Sequence, residues 1–331
     1  MEPKLRVLAV TNTYPTAEMP DDTPCIKDQI TALRAYGVQV DLLHIARTKG
    51  KWSYAQAAWR IVVLSLQSKR YDLIHAYYGH CGLLARLQLR YPVVVTFRGS
   101  DLLSRRDGAI GQVVARLADS IIVMSEEMKR IAKRDDAYII PFGVNLDLFT
   151  AYPMEDARRE LGLALDEKLV LFPWNPARTV KRFDLVQEAI QIAQQKYDRV
   201  HLVVVFDEPH ETVAKYMSAC NVMVLASDYE GSPMAIREAM ACNLPIVSVD
   251  VGDVRQIVAN TDGCYLCQRE PADIAEKLSL ALARGSRTDG VRIVRQKDAA
   301  WGAEQVMQVY HCLLKSYRWQ RRGETPCESP L

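Results

Sequence analysis

The sequence of 331 residues holds no apolar run near the ~18–20 residues that a membrane-spanning helix needs, so no such span is expected. It also lacks a surplus of either charge: 42 Lys and Arg stand against 40 Asp and Glu, for a net charge of +2. A dedicated nucleic-acid binder needs a clear basic surplus to neutralise phosphates, and that class is set aside. Cysteine is present but unpatterned. Eight are scattered, and Cys264 and Cys267 form a lone CxxC with no second pair at zinc-finger spacing, so neither a disulfide scaffold nor a zinc site is expected. The opening Met1-Glu2-Pro3-Lys4-Leu5-Arg6 leads into an apolar run ending at Thr11-Asn12. That run is too short for a secretory signal and reads as a first strand. A cytoplasmic protein is expected. Basic clusters at 129–134 and 318–322 leave open a peripheral contact with the inner face of a membrane, against the plainer reading of a solvated helix face and a tail.

What is present suits two α/β domains: 49% of residues are apolar and 25% charged, and the chain is too long for one ordinary core. Short β-branched runs alternate with helical patterns, the rhythm of βα units feeding a parallel sheet. Strands are expected at 5–10, 38–45, 72–76, 93–97, 120–124 and 138–140, then at 169–172, 201–206, 222–226, 245–249 and 264–267. A first helix opens at Thr23-Pro24, with Thr23 as its cap, aligns Ile26, Ile30 and Leu33, and stops at Gly37. Later helices are expected at 182–195, 211–219, 233–241, 254–259 and 272–283. The expected division is an N-terminal domain at 1–148 and a C-terminal domain at 149–298. Residues 145–168 form the linker, with a short helix at 157–161. A last helix at 299–318 packs back on the first domain, and a polar tail at 323–331 is disordered. Ligands of such sheets sit beyond the carboxyl ends of the strands, and two Rossmann-like domains would place them in the cleft they face.

The most informative stretch runs Ala226-Ser227-Asp228-Tyr229-Glu230-Gly231-Ser232-Pro233-Met234-Ala235-Ile236-Arg237-Glu238-Ala239-Met240. A buried strand enters a loop ending in Glu230-Gly231, and a helix then starts near Ser232-Pro233. A helix start offers free N–H groups and the positive end of the macrodipole, suited to phosphate oxygens. Gly231 admits a ligand close to the backbone. Pro233 has no N–H, so donation falls to Gly231, Ser232, Met234 and Ala235. Carboxylates such as Glu230 and Glu238 accept hydrogen bonds from vicinal sugar hydroxyls. Taken alone, each glutamate reads as readily as an ordinary helix residue.

Glu230 and Glu238, with seven residues between them, resemble the EX7E motif of glycosyltransferase family 4, whose members have the GT-B fold. The string Glu238-Ala239-Met240-Ala241-Cys242-Asn243-Leu244-Pro245-Ile246-Val247 is similar to that family's EAMA-x-x-x-P-V-V run. Ile140-Pro141-Phe142-Gly143-Val144-Asn145 before Phe149, Val95-Thr96-Phe97-Arg98-Gly99-Ser100-Asp101, and Val251-Gly252-Asp253-Val254 resemble further family segments in the expected order. The resemblance implies a retaining transferase of GT-B fold that uses a nucleotide-sugar donor, of UDP or GDP type, and no cofactor. It implies that Arg178 and Lys181 hold the donor diphosphate, where fixed cations stabilise a leaving group gathering charge. Glu238 would hold the ribose, and Glu230 would contact the transferred sugar. Arg98, Gly99, Asp101 and Asn12 would lie on the acceptor side, facing a glycan, lipid-linked or small-molecule acceptor. No Asp-x-Asp occurs in the chain, so no metal is expected.

Several positions depart from the family pattern. Arg98 stands where many relatives carry histidine, and is read either as a ligand contact or as an ion pair with a neighbour such as Asp101. Gln256 replaces a glutamate, Asn145 an aspartate, and the loop after Val10 lacks the usual glycine pair. His75 and His80 read as packing histidines. A non-hydrolysing nucleotide-sugar epimerase of the same fold, and a catalytically silent nucleotide-sugar-binding subunit, remain as alternatives.

Overall fold

The computed structural model describes residues 5–20, 22–66 and 70–322; the tail at 323–331 lies outside the described residues. The described residues fall into two compact units, one within Met1–Tyr14, Ile26–Pro141 and Ala300–Leu331, the other within Pro15–Cys25 and Phe142–Ala299.

The first unit is built on β1 (Arg6–Thr11), β2 (Gln39–His44), β3 (Leu73–Tyr77), β4 (Val93–Thr96), β5 (Ser120–Val123) and β6 (Tyr138–Ile139). They pair in parallel in the order β2-β1-β3-β4-β5-β6. Between them run α1 (Pro24–Ala35), α2 (Lys51–Leu66), α3 (Gly79–Ala85), α4 (Ser100–Leu103), α5 (Gly108–Leu117) and α6 (Glu126–Ala132). Strands β3, β4 and β5 are buried along their whole length, as parallel strands covered on both faces must be. Helix α1 buries Ile26, Ile30 and Leu33 and closes at Gly37, whose left-handed φ of 87° lets its N–H bond Arg34 O. As expected, the helix opens at Pro24, preceded by Thr23. Its φ of 62° departs from the extended backbone a cap residue adopts, and its hydroxyl is 3.5 Å from Asp22 Oδ1.

The second unit carries β7 (Lys168–Phe172), β8 (Val200–Val204), β9 (Val222–Leu225), β10 (Ile246–Val249) and β11 (Tyr265–Cys267), parallel in the order β11-β10-β9-β7-β8. Its helices are α7 (Met154–Leu161), α8 (Phe183–Gln194), α9 (His210–Ala219), α10 (Met234–Ala241), α11 (Val254–Val258), α12 (Pro271–Arg284) and α13 (Val291–Val294). The stretch read as a linker is packed rather than loose. Arg158 of α7 is buried, and its guanidinium donates to the carbonyls of Ala164, Leu165, Glu167 and Ala219 and to Asn221 Oδ1. That fixes α7 against the strand ends.

The last helix, α14 (Ala299–Arg322), is longer than the sequence pattern indicates. Ala303, Val306, Val309 and Tyr310 form its buried stripe, and the Tyr310 hydroxyl lies 2.6 Å from His75 Nδ1 on β3. His75 Nε2 meets Thr96 Oγ1 at 2.7 Å, so this histidine is a satisfied core residue, and burial drives its pKa down to about 3.

Both sheets are doubly wound. Strand order reverses between β1 and β3 in the first unit and between β7 and β9 in the second. Loops leaving neighbouring strands diverge at such a reversal and leave a crevice at the carboxyl ends.

Candidate active site

In the second unit the loops after β7 and β9 meet at the strand-order reversal. The first turns through a short 3-10 segment, Thr179–Lys181, and Lys181 emerges with 4% of its surface exposed. Its ammonium is hydrogen-bonded to Glu230 Oε1 and lies 4.4 Å from the centre of the Trp174 ring. Burial lowers the Lys181 pKa, with Glu230 opposing that shift and the like charge of Arg178 adding to it. Ser227 Oγ donates to the same Glu230 oxygen at 2.7 Å, and Asp228 N bonds Val180 O at 2.9 Å. The two loops are thereby locked to each other, with Arg178 exposed at the rim. Arg269 fixes the β9 loop from the other side through the carbonyls of Ser227 and Asp228.

Helix α10 starts one residue later than read, at Met234. Pro233 has φ −71° and ψ 112°, which is extended, so it precedes the helix instead of opening it. The first N–H groups of α10, at Met234 and Ala235, have no carbonyl of their own helix to bond. Ser232 does not aim its hydroxyl outward. It donates to Asp253 Oδ2 at 2.9 Å and accepts from Arg237 Nε at 3.3 Å, while Arg237 Nη2 pairs with the same carboxylate. Arg237 and Asp253 are both buried. This cluster fastens the Gly231–Ser232 turn to the loop after β10. There Gly252, at φ 59°, sits so close that a Cβ would fall 2.7 Å from Gly231 O and 2.9 Å from Glu230 O.

Glu238 is buried on α10, and His210 Nε2 lies 3.0 Å from its Oε1. The His210 ring stands edge-on to Phe149, with centroids 4.7 Å apart. Neither His210 nor the Arg237–Asp253 pair was marked by sequence reasoning. The one available signal was Arg237 itself, a second charge beside Glu238 in a string from Met234 to Ala241 that is otherwise apolar. Gln256 is exposed on α11.

In the first unit, Asn12, Arg98, Gly99 and Asp101 gather at the carboxyl ends of β1 and β4. Arg98 Nη1 donates to Thr13 Oγ1 at 2.7 Å. Asp101 is buried and accepts the backbone N–H groups of Arg98, Gly99 and Gly79. Its tie to Arg98 thus runs through the main chain. Burial raises its pKa, and these N–H bonds and the Arg98 charge hold it back. Asn12 Nδ2 donates to Tyr54 Oη at 3.0 Å, and its Oδ1 is buried without a partner. His80 stacks on Tyr78 and lies 4.0 Å from Asp107.

Among the described residues, no group of three or more His, Cys, Asp or Glu is placed to hold a metal ion, and no helix is long and apolar enough to cross a membrane. Burial pushes the Cys264 thiol up to about 11 and Cys267 to about 12, which leaves both unreactive. In the 129–134 cluster, Arg134 is turned to structure: it pairs with Asp136 and donates to the carbonyls of Ala115 and Ala118. The side chains at 318–322 lie outside those described.

Two doubly wound parallel-sheet units of six and five strands constitute the GT-B architecture. Solved structures agree: sucrose-phosphate synthase from Thermosynechococcus elongatus superposes with a TM-score of 0.78 at 22% identity, covering 95% of this chain and 100% of that one. HepE from Anabaena, solved with UDP and glucose, gives 0.69 at 16% identity over 92% and 99%. The family model described as Glycosyltransferase Family 4 matches residues 17–148, and that described as Glycosyl transferases group 1 matches 186–284. TuaC of Bacillus subtilis, a glycosyltransferase assigned to teichuronic acid biosynthesis, is 26% identical over 265 residues, spanning 70% of this chain and 67% of TuaC. Together the two family models and these relatives support a glycosyltransferase of family 4 type.

Proposed function

We propose that this glycosyltransferase moves a sugar from a nucleoside-diphosphate donor, of UDP or GDP type, to a hydroxyl of a glycan, lipid-linked or small-molecule acceptor, with retention of configuration and without a metal ion. The observation that carries this reading is the Lys181 ammonium, buried against Glu230 and Trp174 at the β7/β9 reversal, with Arg178 close enough to influence its charge. An ammonium and a guanidinium at that point stabilise the charge that collects on a departing diphosphate, and the N-terminus of α10 adds N–H donors.

In this scheme Glu238, oriented by His210, receives the donor ribose hydroxyls. Glu230 is positioned by Lys181 and Ser227 and accepts hydrogen bonds from the transferred sugar. The acceptor hydroxyl attacks the anomeric carbon from the leaving-group side, and its proton passes to a phosphate oxygen of the departing diphosphate. The bond from anomeric carbon to diphosphate oxygen breaks as the new glycosidic bond forms, and no protein base is required. Arg98 and Asn12, with the turn held by Gly99 and Asp101, serve the acceptor side. HepE was solved with UDP and with UDP-glucose, which favours the donor class adopted here.

The test is a thermal-shift panel of UDP-, GDP-, ADP- and dTDP-sugars on the native protein and on Glu238→Ala and Lys181→Ala. Ligand at ~100 times its Kd adds about 2.7 kcal/mol of stability. One nucleotide class is expected to give that shift, both variants to lose it, and the transfer rate to be unchanged by a chelator. Isomerised donor as the sole product would establish an epimerase instead, and binding without turnover against any acceptor would establish a silent subunit.

A further inference from the structure

Helix α2 shows an unusual division of its surface. Ser53, Ala57 and Ile61 face inward and are buried. On the other side Trp52 is 71% exposed, Trp59 70% and Leu66 80%. Trp52, Trp59 and Leu66 recur every seven residues, about two helical turns, so they line up along one stripe. A tryptophan gains by burial and loses a large apolar area when left in water, so two on one stripe are not the ordinary scatter of surface hydrophobes.

The surrounding charge has a single sign. From 42 to 71 the sequence contains six Lys and Arg and no Asp or Glu. Lys49, Lys51 and Arg60 are all exposed. The patch continues beyond the helix. The Tyr91 hydroxyl lies 3.5 Å from Leu64 O and accepts from Arg70 N at 3.2 Å, which draws the segment after α3 against the end of α2. That segment exposes Leu87 and Leu89. The acidic groups at the border are already engaged: Asp119 pairs with Arg86, and Asp41 pairs with Arg70 and accepts from Tyr71.

We infer that the outer face of α2 is a docking surface for an anionic lipid bilayer. Indole rings prefer the headgroup boundary, where their apolar body is buried and the N–H stays hydrated. Lysine and arginine beside them meet lipid phosphates. A protein partner matched to this patch would have to supply both an apolar groove and acids for the basic flank, whereas an anionic bilayer presents both chemistries at any orientation. The inner face of the same helix holds Tyr54, which accepts from Asn12 at the end of β1, so α2 reaches the ligand-facing loops of its own unit. The inference does not rest on the transferase reading, since lipid binding is measurable without turnover.

The experiment is vesicle flotation of the full chain with phosphatidylcholine alone and with an equal mixture of phosphatidylcholine and phosphatidylglycerol, at low and high salt. Two variants accompany it: Trp52→Ser/Trp59→Ser, and Lys49→Glu/Lys51→Glu/Arg60→Glu. Native protein is expected to float with the mixed vesicles, weaken in high salt and shift its tryptophan emission to the blue. Each basic residue near an anionic surface contributes roughly fivefold to partitioning, so the charge variant should lose at least about a hundredfold. The tryptophan variant should lose both binding and the blue shift. Both should keep the native melting temperature and the native response to nucleotide sugars, because the altered residues face solvent. Absence of flotation by the native protein, or unchanged flotation by the tryptophan variant, overturns the proposal. So does self-association in sedimentation velocity that the tryptophan variant abolishes, since a second copy would then own the patch.

Discussion

A buried charge has to be matched or it costs several kcal/mol, and the second unit meets that demand twice within a few residues. Lys181 is matched by Glu230, and Arg237 by Asp253 with Ser232 between them. The second pair has a sharp expectation. Replacing Arg237 by Leu leaves the Asp253 carboxylate buried with one hydroxyl donor, and its Oδ1 already lacks a partner. Urea unfolding should report a loss of about 3–5 kcal/mol. Adding Asp253→Ala to Arg237→Leu should restore most of it, because the uncompensated charge is then gone. If the double variant is less stable than the single one, the pair holds the loop by more than charge. Glu230, Glu238, Arg178 and Lys181 were candidates from the sequence, the first two for their place in a recognisable string and the others for following the strand that is β7. Trp174, His210 and Asp253 were not, since each matters only through a neighbour that folding brings from elsewhere in the chain. Periodicity does not encode such contacts.

At the level of elements, the strands and most helices could be read ahead because burial on both faces demands unbroken β-branched runs, and the amphipathic helices keep one apolar stripe. Errors gathered at the ends. Pro233 looked like the first residue of its helix, but its extended backbone makes the helix begin a residue later. Terminal residues are set by the path of the incoming chain as much as by their own preference. The place of the strand-order reversal, here between β7 and β9, could not be read. It depends on which strands pair, and it is what brings the Lys181 turn beside the Glu230 loop. The approach of Gly252 to that loop yields a prediction at this scale. Ala at 252 suffers twice, from its left-handed φ and from a Cβ within 3 Å of two carbonyl oxygens. A stability loss of about 1–3 kcal/mol is expected. The displaced Glu230–Gly231 backbone should also abolish the donor-induced thermal shift while circular dichroism remains native. A full shift in Gly252→Ala would mean that the two loops act separately.

Over the whole molecule, the chain assembles its first unit from both ends. Helix α14 lays Tyr310 on His75, brings Cys312 to Tyr138 of β6 and hydrogen-bonds Arg90 O through Tyr317. This gives acid sensitivity to a position in the core of the first unit. His75 has its pKa lowered to about 3, whereas an unfolded histidine titrates near 6.5. Between those values the unfolded chain takes up a proton that the folded one refuses. The stabilising contribution of neutral His75 is therefore complete above pH ~6.5 and fades as pH falls toward 3, at about 1.4 kcal/mol per pH unit. Urea midpoints measured at pH 7 and pH 5 should drop in the native protein by the equivalent of about 2 kcal/mol more than in His75→Gln. Equal drops would show that the ring is protonated in the folded state.

The same closing helix sets an order of events at the ribosome. Strand β6 is complete by residue 139, yet Tyr310 leaves the peptidyl-transferase centre only after another 171 residues have been added. At ordinary elongation speeds that is a delay of roughly ten to thirty seconds. Throughout it the nascent six-stranded sheet has no Tyr310 to cover His75, and nearly all of the second unit is synthesised in the meantime. Chaperone occupancy on translating polysomes should be concentrated in that interval and end when the final helix arrives.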